Sequence, residues 1–112
     1  MGTLPVARLT EQDYLALERA ADYKSEFVGG AVVAVSGKTI RTMRLAGTIL
    51  STLDQQLEGR DCAPFTSDLR MRTPRGDYFY PDVSVVCQSF ESHEGNADVC
   101  VNPVVMVDVL PP

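Results

Sequence analysis

Two aspartates, Asp82 and Asp108, are the residues of this sequence whose surroundings suggest chemistry. Asp108 interrupts the valine-rich run from Pro103 to Leu110, and an unpaired carboxylate inside a strand buried on both faces is costly. Asp82 follows Pro81 within an aromatic run, where a proline marks a strand edge or a bulge that re-aims the next side chain. Two carboxylates on neighbouring strands can share one divalent ion, which activates a water for attack on phosphorus.

Each aspartate also has an ordinary explanation. Asp108 is close to Pro111 and can lie at a strand end where water solvates it, and Asp82 can be a surface residue beside a turn. A shared ion requires the two carboxyl groups to approach within roughly 4 to 5 Å, given metal–oxygen distances of about 2.1 Å. Side chains on opposite faces of the sheet would exclude that ion.

The first half of the chain predicts two helices and a hairpin. Thr10 is a predicted N-cap for a helix that ends near Ala20. The β-rich runs 25–28 and 31–35 flank Gly29-Gly30, which predicts a tight hairpin because both glycines tolerate positive φ. Apolar residues at helical spacing predict a long helix from about Lys38 to Glu58, ended by Gly59, with one face on the sheet. That apolar face consists of Leu45, Ala46, Ile49, Leu50, Leu53 and Leu57.

The second half predicts mainly strands. We expect a strand over 65–71, a turn over 73–77, a second strand over 78–87 and a last strand over 103–110. The polar segment 88–102 is predicted to be a loop. The whole reads as one α/β (α+β) domain over residues 1–112, in agreement with the chain length.

Composition limits the partners. A net charge of −5 and a pI near 4.7 argue against a free-standing, high-affinity nucleic-acid binder, because neutralising phosphates needs clustered Lys and Arg. Any DNA contact must therefore be local, and Arg70, Arg72 and Arg75 are the cations that fall close together.

The cysteines and the termini predict a cytoplasmic protein. Cys62, Cys87 and Cys100 are odd in number and widely spaced, which favours buried, reduced thiols over a disulfide framework or structural zinc. The segment Met1 to Thr10 lacks the pattern of a signal peptide, and no apolar stretch approaches the roughly 20 residues of a membrane helix.

An ordered set of segments along most of the chain resembles the Uma-two family of restriction-endonuclease-like proteins. The Pro81-Asp82 pair, followed by an acid in a valine-rich strand, also has the outline of the PD-(D/E)XK nuclease signature. The resemblance rests on residues 9–18, 23–30, 44–47, 80–86 and 107–110. It implies a mixed sheet with an N-terminal helix and one long helix packed on it.

The resemblance further implies a metal-dependent DNA endonuclease, with Glu26, Asp82 and Asp108 as catalytic and metal-binding residues for Mg²⁺ or Mn²⁺. Glu26 would help to hold metal or water, while Asp82 and Asp108 would link the ion to the scissile phosphate. Taken alone, Glu26 is more simply a surface strand residue paired with Lys24.

The sequence departs from the family pattern at several positions, which predicts impaired or lost activity. Position 108 is Asp where the family usually has Glu, Ala31 stands where an acid is frequent, and Thr42 where a His is common. The family normally continues past this strand into a helix that supplies a lysine, and this sequence stops at Pro112, as a truncated domain would. Exposed apolar surface and an unpaired strand edge then predict a homodimer. The alternative function is a non-catalytic dimeric binding or structural module.

Overall fold

A computed structural model describes residues 8–111 as two helices and nine short strands. The helices are α1 (Glu11–Ala20) and α2 (Ile40–Gln56). The strands are β1 (Ser25–Val28), β2 (Ala31–Ala34), β3 (Cys62–Phe65), β4 (Arg70–Arg72), β5 (Tyr78–Phe79), β6 (Val83–Cys87), β7 (Ser92–His93), β8 (Asn96–Cys100) and β9 (Val105–Val107). The predicted combination of helices with a mixed sheet is confirmed.

Helix α1 begins where the sequence predicts. The Thr10 hydroxyl accepts a hydrogen bond from the Asp13 N–H at 3.1 Å, and the Asp13 carboxylate accepts one from the Thr10 N–H at 3.1 Å. This reciprocal cap satisfies two amides that the first helical turn leaves without partners. Residues 1–7 lie outside the part of the chain that the structure describes. They make up most of the segment Met1 to Thr10, from which we predicted the absence of a signal peptide.

The strands form two sheets. A six-stranded sheet has the order β2-β1-β5-β4-β8-β7, with β4 and β8 parallel and the other pairs antiparallel. Its face against α1 holds a buried core of Tyr14, Leu15, Phe27, Tyr78 and Val99. The predicted β1–β2 hairpin is confirmed, with Gly29 at φ 59° and Gly30 at φ 85°. We call α1 and this sheet the large-sheet half.

A three-stranded antiparallel sheet, β3-β6-β9, carries α2 against β3 and β6. We call it, with α2, the small-sheet half. The long helix is confirmed, but its predicted apolar face is only partly covered: Thr42 is the one buried residue of α2, and Leu45 is 49% exposed.

Three strand predictions were wrong. The run 78–87 is two strands in different sheets, because Pro81 cannot donate a ladder hydrogen bond and the chain leaves one sheet there for the other. The predicted strand 65–71 is interrupted by a turn between β3 and β4. The predicted loop 88–102 contains β7 and β8, since the polar residues that suggested a loop occupy the exposed positions of a strand pair.

The prediction of three reduced thiols was wrong for two of them. Cys62 and Cys87 form a disulfide, with their Cα atoms 3.9 Å apart. They are directly paired across the antiparallel strands β3 and β6, a proximity that their separation of 25 residues conceals. Cys100 remains a buried free thiol, and burial raises its pKa.

Candidate active site

The segment Tyr80-Pro81-Asp82 links the two sheets and positions Asp82. All three residues are buried. The Tyr80 hydroxyl donates to the buried Glu18 carboxylate at 2.6 Å and accepts from Arg70 Nε at 3.0 Å. Burial raises the pKa of Tyr80, so its hydroxyl stays protonated as a donor. The crossing is therefore anchored in the large-sheet half immediately before Asp82.

Asp82 and Asp108 hold each other in place through the backbone. The Asp82 N–H donates to Asp108 Oδ1 at 3.1 Å, and the Val109 N–H donates to Asp82 Oδ2 at 2.7 Å. The antiparallel register pairs Val83 with Val107, so positions 82 and 108 lie opposite each other just beyond the ladder. The structure thus brings residues 82 and 108 together, with each carboxylate bound by a backbone N–H of the opposite segment.

The expected burial of Asp108 was wrong. Strand β9 ends at Val107, and Asp108 is exposed, as the strand-end explanation anticipated. It is not merely solvated, however, because its carboxylate accepts from the Asp82 N–H. Asp82, by contrast, is 8% exposed, which excludes the surface-residue explanation for that aspartate.

Glu26 lies on β1 near the same junction. Its Oε2 accepts a long hydrogen bond, 3.4 Å, from the Tyr80 N–H. The expected Glu26–Lys24 pair is wrong, because Lys24 instead contacts Asp68, with Nζ and Oδ1 2.6 Å apart. Within residues 8–111, Glu26 therefore has no ion pair with Lys24.

A cleft of about 430 Å³ lies between these elements. Glu26, Lys38, Thr42, Tyr80 and Asp108 contribute to its wall. A second space of about 280 Å³ shares Lys38 and Thr42 with the cleft and is bordered by Asp82. The charged residues lining the two spaces are three carboxylates and one lysine, a formal charge of −2 that favours a cation.

Lys38 is the site residue that sequence reasoning missed. Its Nζ is 3.4 Å from each of the two carboxylate oxygens of Asp82. Lys38 lies 44 residues before Asp82 in the sequence, which conceals their proximity. One signal was available: Lys38 precedes Thr39, the N-cap of α2, and therefore stands in the loop that leads from the hairpin to the helix.

The donors fit a hard divalent ion in kind, since they are carboxylate oxygens. Among residues 8–111, no group of three or more His, Cys, Asp or Glu side chains is arranged to hold a metal. A pair of carboxylates still fits Mg²⁺, because this ion usually keeps several waters and binds one or two carboxylates plus substrate phosphates. Asp82 and Asp108 are the pair that would hold such an ion, with Glu26 farther along the cleft.

Comparison with known proteins places the chain in a family. The family model named Uma2, described as "Putative restriction endonuclease", matches residues 11–112. The chain belongs to the Uma2 family.

Two Synechocystis relatives of this Uma2 chain, sll1609 and slr1290, are both called uncharacterized. The first is 30% identical over 91% of the chain and 58% of its own length, and the second 27% identical over 96% and 56%. The chain thus spans less than three fifths of these relatives.

A crystal structure from Anabaena variabilis, described as "a putative nuclease belonging to DUF820", has the same fold. Its TM-score is 0.76 at 19% identity, over 93% of this chain and 59% of that one. At this level of identity the likeness shows the fold, and it confirms the expected nuclease-like architecture.

Two of the three clustered arginines of this Uma2 chain are engaged in ion pairs within the protein. Arg70 binds Asp98 at 2.7 Å and Arg72 binds Glu11 at 2.6 Å. These contacts hold the β-strands to α1 and to the β7–β8 pair, so neither guanidinium is free for a phosphate. In the described part of the chain, no helix is long and apolar enough to cross a membrane.

Proposed function

We propose that this Uma2 chain is a metal-dependent DNA endonuclease domain with low activity. The observation that carries the proposal is the reciprocal bracket between Asp82 and Asp108 beside a cleft of negative charge. The Asp108 carboxylate is held by the Asp82 N–H and the Asp82 carboxylate by the Val109 N–H, and preorganised oxygen ligands are what a hard cation requires.

Each acid has a distinct part in the proposal. Asp82 and Asp108 would hold Mg²⁺ or Mn²⁺, which would supply charge for the phosphate and acidity for a water. Glu26, which lines the same cleft as Asp108, would orient a water through a carboxylate oxygen. The Val109 N–H fixes Asp82 Oδ2, so the orientation of this carboxylate does not depend on the ion.

Low activity follows from two features of the site. Asp108 is one methylene shorter than the Glu usual in the family, which displaces its oxygens by about a bond length. The chain as a whole is acidic, with a net charge of −5, so attraction for the DNA backbone is weak. Both features reduce turnover without removing the acid pair.

Calorimetric titration of Mn²⁺ into the parent protein and Asp82→Asn tests the metal site. We expect binding in the parent and its loss in Asp82→Asn, while Asp54→Asn, a matched change at an exposed position of α2, binds like the parent. A parent that binds no Mn²⁺, or an Asp82→Asn variant that binds equally well, would remove the proposal.

Plasmid nicking tests catalysis with the same proteins and adds Asp108→Glu. We expect slow nicking by the parent and none by Asp82→Asn. Asp108→Glu should nick faster than the parent, because its carboxylate extends as far as the Glu that the family usually has at this position. Nicking that survives Asp82→Asn would point to a contaminating nuclease.

A second candidate function, a non-catalytic dimeric module, is favoured by the surface of β9. Val104, Val105, Met106 and Leu110 are all exposed large apolar residues, and β9 is an edge of the three-stranded sheet. Unpaired edges with apolar side chains are pairing sites. We therefore propose a homodimer through β9, which light scattering on the parent and on Met106→Lys would test: the variant should be monomeric.

A cytoplasmic location stays a prediction. It depended in part on three reduced thiols, and the Cys62–Cys87 bond removes most of that argument. Labelling of free thiols in freshly lysed and then denatured cells would show whether the compartment keeps the thiols reduced. One reactive cysteine is expected if the disulfide is present in the cell, and three if it is not.

A further inference from the structure

Lys38 places a positive charge beside the Asp82 carboxylate. Its ammonium lies equally far, 3.4 Å, from both oxygens of that carboxylate. Lys38 is also the cation among the residues that line the cleft and its neighbouring space. A buried carboxylate needs a counter-charge or hydrogen bonds, and Lys38 supplies the charge in this structure.

We propose that Lys38 is an exchangeable counter-cation: it neutralises Asp82 in the metal-free protein and is displaced from it by a divalent ion, after which its ammonium serves the substrate phosphate. The inference deepens the proposed function and rests on it. It assigns to Lys38 a positioning role toward the metal and a binding role toward the nucleic acid.

The two contacts of Asp82 differ in a way that supports exchange. The Val109 N–H holds Oδ2 at 2.7 Å, whereas the ammonium stands back at 3.4 Å with its side chain 41% exposed. Because the ammonium end of the pair is solvated, its contact is weaker than the backbone hydrogen bond and is the one more easily given up. The backbone contact keeps Asp82 oriented when the lysine leaves.

The position of Lys38 also explains where the ammonium would go. Ions such as Mg²⁺ or Mn²⁺ bind a carboxylate oxygen at about 2.0 to 2.2 Å and would repel an ammonium at the same group. Lys38 contributes to both spaces around Asp82, and its flexible four-carbon stem lets the charge move while the backbone stays at the start of α2. The displaced ammonium therefore remains in the cleft, where it can meet a phosphate.

Lys24 provides a matched control because it is the only other lysine of the sequence. Its Nζ is 2.6 Å from Asp68 Oδ1 and donates to the Ser67 carbonyl at 3.1 Å. It lines neither of the two spaces around Asp82. Lys24→Met therefore makes the same change in net charge at a residue that lines neither space and whose ammonium lies 5.4 Å from the centre of the Tyr80 ring.

The decisive experiment is calorimetric titration of Mn²⁺ into the parent, Lys38→Met, Lys38→Arg and Lys24→Met. Lys38→Met should tighten binding by up to about fivefold, the range of an exposed ion pair. Lys38→Arg should weaken binding, because a planar guanidinium grips a carboxylate with two hydrogen bonds and is harder to displace. Lys24→Met should match the parent.

The order of affinities separates this role from a structural one. If Lys38 merely supported the fold, Met and Arg would both weaken metal binding or both leave it unchanged, and either result would overturn the inference. Binding in the parent that depends on Asp82 but ignores Lys38 would leave the proposed function standing and remove this inference alone. A parent that binds no Mn²⁺ would remove both the proposed function and this inference.

The phosphate role has its own readout. The DNA affinity can be measured by fluorescence anisotropy of a labelled duplex, with Ca²⁺ in place of Mg²⁺. Lys38→Met should bind more weakly than Lys24→Met, and the salt dependence of its affinity should correspond to about one phosphate contact fewer. Equal affinity and equal salt dependence for the two Met variants would overturn this part.

Discussion

The two halves of the molecule differ in how completely they are packed. The large-sheet half buries an aromatic cluster in which the rings of Tyr14 and Phe27 stack at 4.9 Å. The small-sheet half leaves most of α2 exposed, and the Ser84 hydroxyl is buried there without a hydrogen-bond partner among the described residues. The candidate site lies where the two halves meet, with its acid pair on the less packed side. Ligand sites are commonly drawn from the less stable part of a fold, since binding there can supply missing stabilisation.

The same difference is visible in two carboxylates of equal burial, Glu18 and Asp82, each 8% exposed. Glu18 accepts from the Ser25 N–H at 2.8 Å and from the Tyr80 hydroxyl at 2.6 Å, both of them fixed neutral donors. Asp82 has one fixed donor and one displaceable cation. Burial alone therefore does not distinguish these two acids; the kind of partner does.

The largest expected effect compares two identical truncations, Leu15→Ala and Leu45→Ala. Leu15 is 3% exposed in the core of the large-sheet half, whereas Leu45 is largely exposed on α2. We expect Leu15→Ala to lower the free energy of unfolding by about 2 to 5 kcal/mol and Leu45→Ala by less than about 1 kcal/mol. Urea denaturation followed by circular dichroism measures both.

Equal losses of unfolding free energy in the two variants would show that the two halves do not differ in packing. A large loss confined to Leu45→Ala would show that α2 is covered in solution, as a dimer would cover it. Repeating that measurement at several protein concentrations would then distinguish the two cases, because dimer stability depends on concentration.

The next effect concerns the disulfide, which crosslinks the small-sheet half. Cys62–Cys87 closes a loop between residues 25 apart, and such crosslinks stabilise by about 2 to 4 kcal/mol, mainly by restricting the unfolded chain. We expect dithiothreitol to lower the urea midpoint of the parent. A Cys62→Ser, Cys87→Ser double variant should have the lower midpoint from the start and not respond to dithiothreitol. A parent with no response would show that the bond is absent in solution.

The local elements were largely predictable from the sequence, and their reasons are local. Thr10 with Asp13 forms a cap, and Gly29-Gly30 forms a turn, through contacts within a few residues of each other. Helix α2 was predicted from apolar spacing, but its degree of burial depends on what packs against it, which spacing cannot reveal.

The relations between distant segments were not predictable in the same way. Pro81 marks an irregularity in the run 78–87 but does not show that its two parts belong to different sheets, and nothing near Lys38 shows that its ammonium reaches Asp82 across 44 residues of sequence. The meeting of Asp82 with Asp108 was suggested by the strand pattern and made specific by the family resemblance. Side-chain chemistry suggested which residues matter, while strand pairing decided which of them meet.

The smallest expected effect tests whether acid sensitivity, too, is concentrated in the large-sheet half. Asp98 is held by Arg19 at 2.7 Å and by Arg70 at 2.7 Å, and the hydrogen bond from Arg19 is the main cause that lowers its pKa to about 2. Because the folded pKa lies below the unfolded value of about 3.9, this contribution is present above that value and is lost as the pH falls through 2.

Since the Asp98 side chain is 48% exposed, solvent screening limits the contribution to about 1 kcal/mol. Urea midpoints measured from pH 5 to pH 2 should fall less steeply for Asp98→Asn than for the parent. Asp54→Asn, the same substitution on the exposed surface of α2, should follow the parent. If Asp54→Asn instead flattened the profile as much as Asp98→Asn, acid sensitivity would be a property of total charge and not of the ion pairs that fasten α1 to its sheet.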